Sequence, residues 1–110
     1  MINIQEKTGA TLLELSEERL DAHNSGDLKN EMLALFEDGK NQLVIDLKDV
    51  RFIDSSGLGA LVSGYKNASA RNGNLKLCSL QPQVKSMFEL TRLHRVFEIY
   101  PSAEDALASF

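Results

Sequence analysis

Two periodicities alternate along the chain. Short, nearly continuous apolar runs are followed by stretches in which apolar residues return every third or fourth position. Ile2-Asn3-Ile4-Gln5-Glu6 and Thr11-Leu12-Leu13-Glu14-Leu15-Ser16 flank a turn at Thr8-Gly9, which predicts two strands paired as a hairpin. Leu28, Met32, Leu35 and Phe36 then fall at helical spacing. Asn24 to Gly26 supply N-cap candidates for this helix, and Gly39 is placed to stop it. Leu43-Val44-Ile45-Asp46-Leu47 is the strongest strand signal, its unbroken apolar character fitting a central strand covered on both faces.

Past Phe52-Ile53 the helical period returns. Leu58, Leu61, Val62, Tyr65 and Ala68 follow the i, i+3, i+4, i+7 rule until Asn72-Gly73 stops them. Leu75-Lys76-Leu77-Cys78 reads as a strand. Pro82 suits the first turn of a third helix, with Val84, Met87 and Phe88 on its apolar face. A strand around Val96 to Tyr100 follows, broken by Pro101-Ser102, and Ser102 caps a terminal helix carrying Ala103, Ala106, Leu107 and Phe110 inward. The order is ββαβαβαβα. Strands alternating with helices imply right-handed crossovers, so the expected fold is α/β. A mixed, mostly parallel sheet of about five strands with an antiparallel N-terminal hairpin would carry about four helices in one domain spanning residues 1–110.

Composition narrows the function. A chain that is 43% apolar and 25% charged is ordinary for one globular domain and leaves little room for a second, catalytic one. The net charge of -4 and the scattering of its twelve Lys and Arg argue against general nucleic-acid binding, and favour a mildly basic protein partner. No apolar run is long enough to span a bilayer, and Met1 leads into Ile2-Asn3-Ile4-Gln5 rather than a signal segment, so a cytoplasmic location is expected. Cys78 has no second cysteine to pair with and reads as a buried thiol. One Cys and two separated His make no metal cluster, and no cofactor is implied.

The candidate chemistry lies in Asp54-Ser55-Ser56-Gly57-Leu58-Gly59. In an α/β sheet, functional groups collect where strand carboxyl ends meet helix amino ends, because unpaired N–H groups and the helix dipole lie there. Ser55 or Ser56 is able to cap the helix, and Gly57 and Gly59 keep its first turn bare, so that a large partner reaches the hydroxyl. Asp-Ser-Ser is equally a common helix start, and such glycines also serve close helix–sheet packing. Spacing alone leaves both readings open.

The run from Leu43 to Gly59, with its Asp54-Ser55-Ser56-Gly57-Leu58-Gly59 end, resembles the signature segment of STAS domains of the bacterial anti-sigma-factor-antagonist type. The resemblance continues through Leu20-Asp21-Ala22, Asn72-Gly73-Asn74-Leu75, Val84 to Thr91, and Leu93. It implies a partner-switching cycle. The unphosphorylated antagonist binds an anti-sigma factor that is also a GHKL-type serine kinase, releasing the sigma factor. The kinase phosphorylates the serine after the motif's Asp, and a PPM-type serine phosphatase reverses the reaction. Carried onto this sequence, the acceptor is Ser55, with Ser56 the fallback. The implied partner-binding residues are Asp21, His23, Asn24, Asp54, Ser55, Ser56, Gly57, Leu58 and Gly59. Glu18 stands where the family often has glycine, which bears on the loop that shapes partner choice.

Other classes fit less well. A serine hydrolase built on Ser55 or Ser56 with His23 or His94 lacks the Gly-x-Ser-x-Gly elbow. Gly57-Leu58-Gly59 lacks the third glycine of a dinucleotide fingerprint, and no phosphate loop closes on a Gly-Lys-Ser/Thr. A STAS module acting as a scaffold in another signalling complex is the nearest alternative to the antagonist.

Overall fold

The computed structural model describes residues 1–110. Strands β1 (Ile2–Lys7) and β2 (Ala10–Leu15) pair antiparallel, with Lys7 opposite Ala10, through a turn in which Gly9 takes a φ of 83° that other residues adopt only under strain. The chain continues as β3 (Arg19–Leu20), α1 (Ser25–Glu37), β4 (Gln42–Asp46), β5 (Phe52–Ile53) and α2 (Ser55–Ala70). Then come β6 (Asn74–Cys78), α3 (Pro82–Leu90), a 3-10 turn at Leu93–Arg95, β7 (Ile99–Tyr100) and α4 (Ala103–Ala108). The main sheet runs β1-β2-β4-β6-β7, with every pair after the hairpin parallel.

This is the expected five-stranded mixed sheet with four helices. It gains a second, two-stranded ribbon, β3 with β5, that periodicity did not indicate. Two residues are too short to carry a period, and the ribbon exists because distant loops meet. The last main-sheet strand is also shorter than expected. Val96 does not join it, because Arg92 adopts a left-handed φ of 62° and the chain winds through the 3-10 turn first.

Leu13, Leu43, Ile45, Leu75 and Leu77 form one face of the sheet and pack under Leu28, Met32, Leu61 and Phe88 of the three longer helices. On the opposite face Leu12, Val44 and Cys78 lie beneath Ala106 of the short α4. The central β4 is therefore apolar on both faces, as its run of residues requires. Lys76, 5% exposed on the α4 face, donates from Nζ to the Ser109 carbonyl (3.1 Å) and hydroxyl (2.7 Å) and sits 4.1 Å from the Phe110 ring centre. No helix is long and apolar enough to cross a membrane.

Helix α2 stops just before Asn72-Gly73, as spacing predicts, and the two residues do different things. Asn72 takes the left-handed conformation (φ 61°), while Gly73 serves close approach: a Cβ there would collide with the Asn41 carbonyl.

Candidate functional site

The site is assembled at the carboxyl ends of β2 and β4, where two loops zip together. The Glu18 carbonyl accepts from Arg51 N–H (2.7 Å) and Phe52 N–H (3.2 Å), and β3 pairs parallel with β5, Arg19 beside Phe52 and Leu20 beside Ile53. The Leu20 carbonyl then accepts from Asp54 N–H at 3.2 Å. Leu20 and Ile53 point inward and are fully buried, which anchors the ribbon to the core. Arg19 and Phe52 stay exposed, the guanidinium 4.4 Å from the ring centre and also 3.5 Å from Asp21.

Asp54 ties the two helix starts together. Its Oδ1 accepts from Gly57 N–H at 2.9 Å, capping α2, and its Oδ2 accepts from Ala22 N–H at 3.2 Å in the loop before α1. The cap is therefore Asp54, which corrects the expectation that Ser55 or Ser56 fills that role. A carboxylate one residue earlier already satisfies the first-turn donor. Ser55 and Ser56 occupy the first two helical positions, both exposed, and neither hydroxyl forms a hydrogen bond within the chain. Ser55 thus presents a free hydroxyl at the positive end of a 16-residue helix.

The two motif glycines separate. Gly57 is buried, and a Cβ on it would collide with the Leu20 carbonyl and lie 2.8 Å from Ile53 Cγ2, so it admits the β3 loop against the helix. Gly59 is exposed with nothing within 4 Å of an added Cβ, so no packing inside the chain requires it to be bare. Leu58 is half-buried between them.

Asp21, His23 and Asn24 lie alongside, in the loop that Asp54 holds. Asp21 Oδ1 accepts from His23 N–H at 3.0 Å. The Asn24 side chain accepts from Asp21 N–H (2.9 Å) and donates to the Arg19 carbonyl (2.7 Å), so it braces the loop and makes no side-chain cap on α1. All nine candidate residues thus fall in one patch formed by the β3–α1 and β5–α2 junctions. Arg19 and Phe52, which also edge this patch, escaped the sequence reading. Their only local signal is an exposed aromatic three residues before the serine. No hydrogen bond joins either serine to a histidine: His23 is held through its backbone, and His94 Nδ1 lies 3.4 Å from the Phe88 carbonyl.

Comparison with known proteins places this geometry. A STAS domain family model matches residues 1–106. The chain is 29% identical over 107 residues to the anti-sigma F factor antagonist of Paenibacillus polymyxa, covering 96% of this chain and 91% of that one. It is 33% identical over 85 residues to the anti-sigma-B factor antagonist of Bacillus subtilis, covering 77% of each. The crystal structure of an anti-sigma factor antagonist from Mycobacterium paratuberculosis superposes with a TM-score of 0.87 at 27% identity, covering 99% of this chain and 92% of that one. The chain belongs to the STAS domain family, within its anti-sigma-factor antagonists, which are non-catalytic modules that regulate by switching protein partners.

Proposed function

We propose that this antagonist binds an anti-sigma factor of the GHKL serine-kinase type while Ser55 is unmodified, and that phosphorylation of Ser55 ends that binding. The supporting observation is the division of labour at the start of α2. Asp54 does the capping, so the adjacent Ser55 hydroxyl is exposed and without a partner in the chain. Ser56 is also exposed but stands one position further into the helix and is the second choice. A PPM-type phosphatase would return the protein to its binding form.

The physical effect of the modification is concentrated at the interface. A phosphoserine adds about -1.5 to -2 charge and three acceptor oxygens. At the first helical position the dipole favours that charge by roughly 0.3 to 1 kcal/mol, while Asp54 beside it opposes the gain, so the fold changes little. Under a docked partner the same unpaired charge costs on the order of 2 to 5 kcal/mol. That is a loss of affinity of about thirty-fold to several-thousand-fold, enough to exchange partners.

The test is to incubate the chain with each purified GHKL-type serine kinase of the source organism and map the phosphate. A single phosphate on Ser55, loss of binding in Ser55→Asp and retained binding in Ser55→Ala are expected. A phosphate carried elsewhere, or Ser55→Asp binding as tightly as the native chain, overturns the assignment.

A further inference from the structure

A groove of about 420 Å³ opens between β1 and the N-terminal half of α1, beside the Ser55 patch. Its floor is apolar, formed by Ile2, Leu15, Leu20 and Leu28. It shares a wall with the switch: Leu20, whose carbonyl receives the Asp54 N–H, and Asn24, which braces the loop, both line it. The volume lies in the range of sites that accept a large side chain with part of its neighbours.

The rim is acidic in a way that the fold does not use. Asp27 and Glu31 stand four residues apart on α1, where two like charges destabilise a helix by about 0.2 to 0.5 kcal/mol. The helix dipole favours Asp27 in the first turn but does not extend to Glu31. Neither carboxylate forms an ion pair, whereas other acids of the chain find cations: Glu6 and Asp38 meet Lys40, and Glu14 meets Lys48. Glu17, also at the rim, contacts the Met1 amino group. No lysine or arginine side chain lines the groove.

We infer that this groove docks a basic segment of the anti-sigma factor, one that places an apolar side chain on the Leu15–Leu28 floor and Lys or Arg side chains against Asp27 and Glu31. The inference rests on the reading of Ser55 as the switch to the extent that both contacts belong to one partner. The groove would supply docking that is independent of the serine's state, and the acidic rim would steer encounter by complementary charge.

The experiment uses the full chain and the purified GHKL-type kinase that transfers phosphate to it. Association kinetics are measured at low and physiological salt for the native chain, Asp27→Lys/Glu31→Lys, Asp27→Asn/Glu31→Gln and Ser55→Asp, with circular dichroism confirming that each is folded. Charge reversal is expected to slow association by about tenfold or more and to flatten its salt dependence, the neutral pair falling between it and the native chain. It should also raise KM for Ser55 phosphorylation and leave kcat unchanged. If both rim variants bind within twofold of the native chain with the same salt dependence, the groove is not a docking site, whatever Ser55→Asp does. If Ser55→Asp binds normally while the rim variants fail, the switch assignment falls and the groove stands. A concentration-dependent self-association abolished by the same charge reversal would show the occupant to be a second copy, and would overturn the inference.

Discussion

Two glycines separated by one residue in the motif have opposite relations to the rest of the molecule. Gly57 faces the Leu20 carbonyl, a backbone group held in the β3–β5 ribbon that has no freedom to retreat, whereas Gly59 faces open space. Gly57→Ala should therefore destabilise the protein by about 1 to 3 kcal/mol through overpacking. Gly59→Ala should stabilise it by about 0.5 to 1 kcal/mol, because alanine loses less backbone entropy in a helix. Urea midpoints followed by circular dichroism compare the two, and shifts of the same sign would refute the distinction. The sequence placed both glycines at the motif correctly but could not tell them apart, since what separates them is a carbonyl 37 positions away from Gly57 in one direction of the chain and absent for Gly59. The same holds for Asp54, whose second hydrogen bond reaches Ala22 across a separation of 32 residues.

At the scale of elements, α4 is the least self-sufficient piece. It has six residues, too few to be stable alone, and the buried apolar residues it covers are Leu12, Val44 and Cys78, with Tyr100 at the edge. Ser102 caps it through Asp105 N–H at 3.1 Å, and Lys76 binds its far end through Ser109. Glu98 flanks that lysine at 3.7 Å. Its carboxyl is held below the usual carboxylate range, first by the Tyr100 hydroxyl and then by Asn74 and Lys76. Lys76→Met should cost about 1 to 3 kcal/mol by removing the Ser109 bonds. Its more specific signature is faster labelling of Cys78 by a thiol reagent, because loosening α4 uncovers the thiol beneath it. Unchanged labelling kinetics would mean that apolar packing alone holds the helix. Element identity was legible from the short apolar runs and the 3.6 period, including the cap at Ser102 and the helix start at Pro82. The β3–β5 ribbon and the shortened β7 were not, because each is set by partners remote in sequence.

For the whole molecule, the buried thiol couples stability to alkaline pH. Burial pushes Cys78 up from its ordinary 9.0 to about 11, with Asp46 and Glu14 adding to the rise and Ser79 opposing it. Between these two values the unfolded chain has released its proton and the folded chain has not, so rising pH favours unfolding. This contribution is intact below about pH 9 and is lost as pH approaches 11. A difference of this size is worth at most about 2 to 3 kcal/mol. The stability of Cys78→Ala should accordingly fall less steeply than that of the native chain between pH 9 and 11. Parallel curves from urea melts across this range would exclude the coupling.

Hydrophobic periodicity by itself determined the α/β class, the order of strands and helices along the chain and the central place of β4. These depend on which side chains must leave water, and that information is local and repeated along the chain. The motif's residues were equally visible, and their resemblance to STAS domains identified the family. Only the tertiary structure decided which residue caps α2, which serines remain free, which glycine is packed and which is bare, and that an acidic groove adjoins the Ser55 patch. Apart from the α2 cap, which Asp54 makes three residues away at Gly57, those outcomes depend on contacts between segments remote in sequence, and no periodicity records where the chain returns.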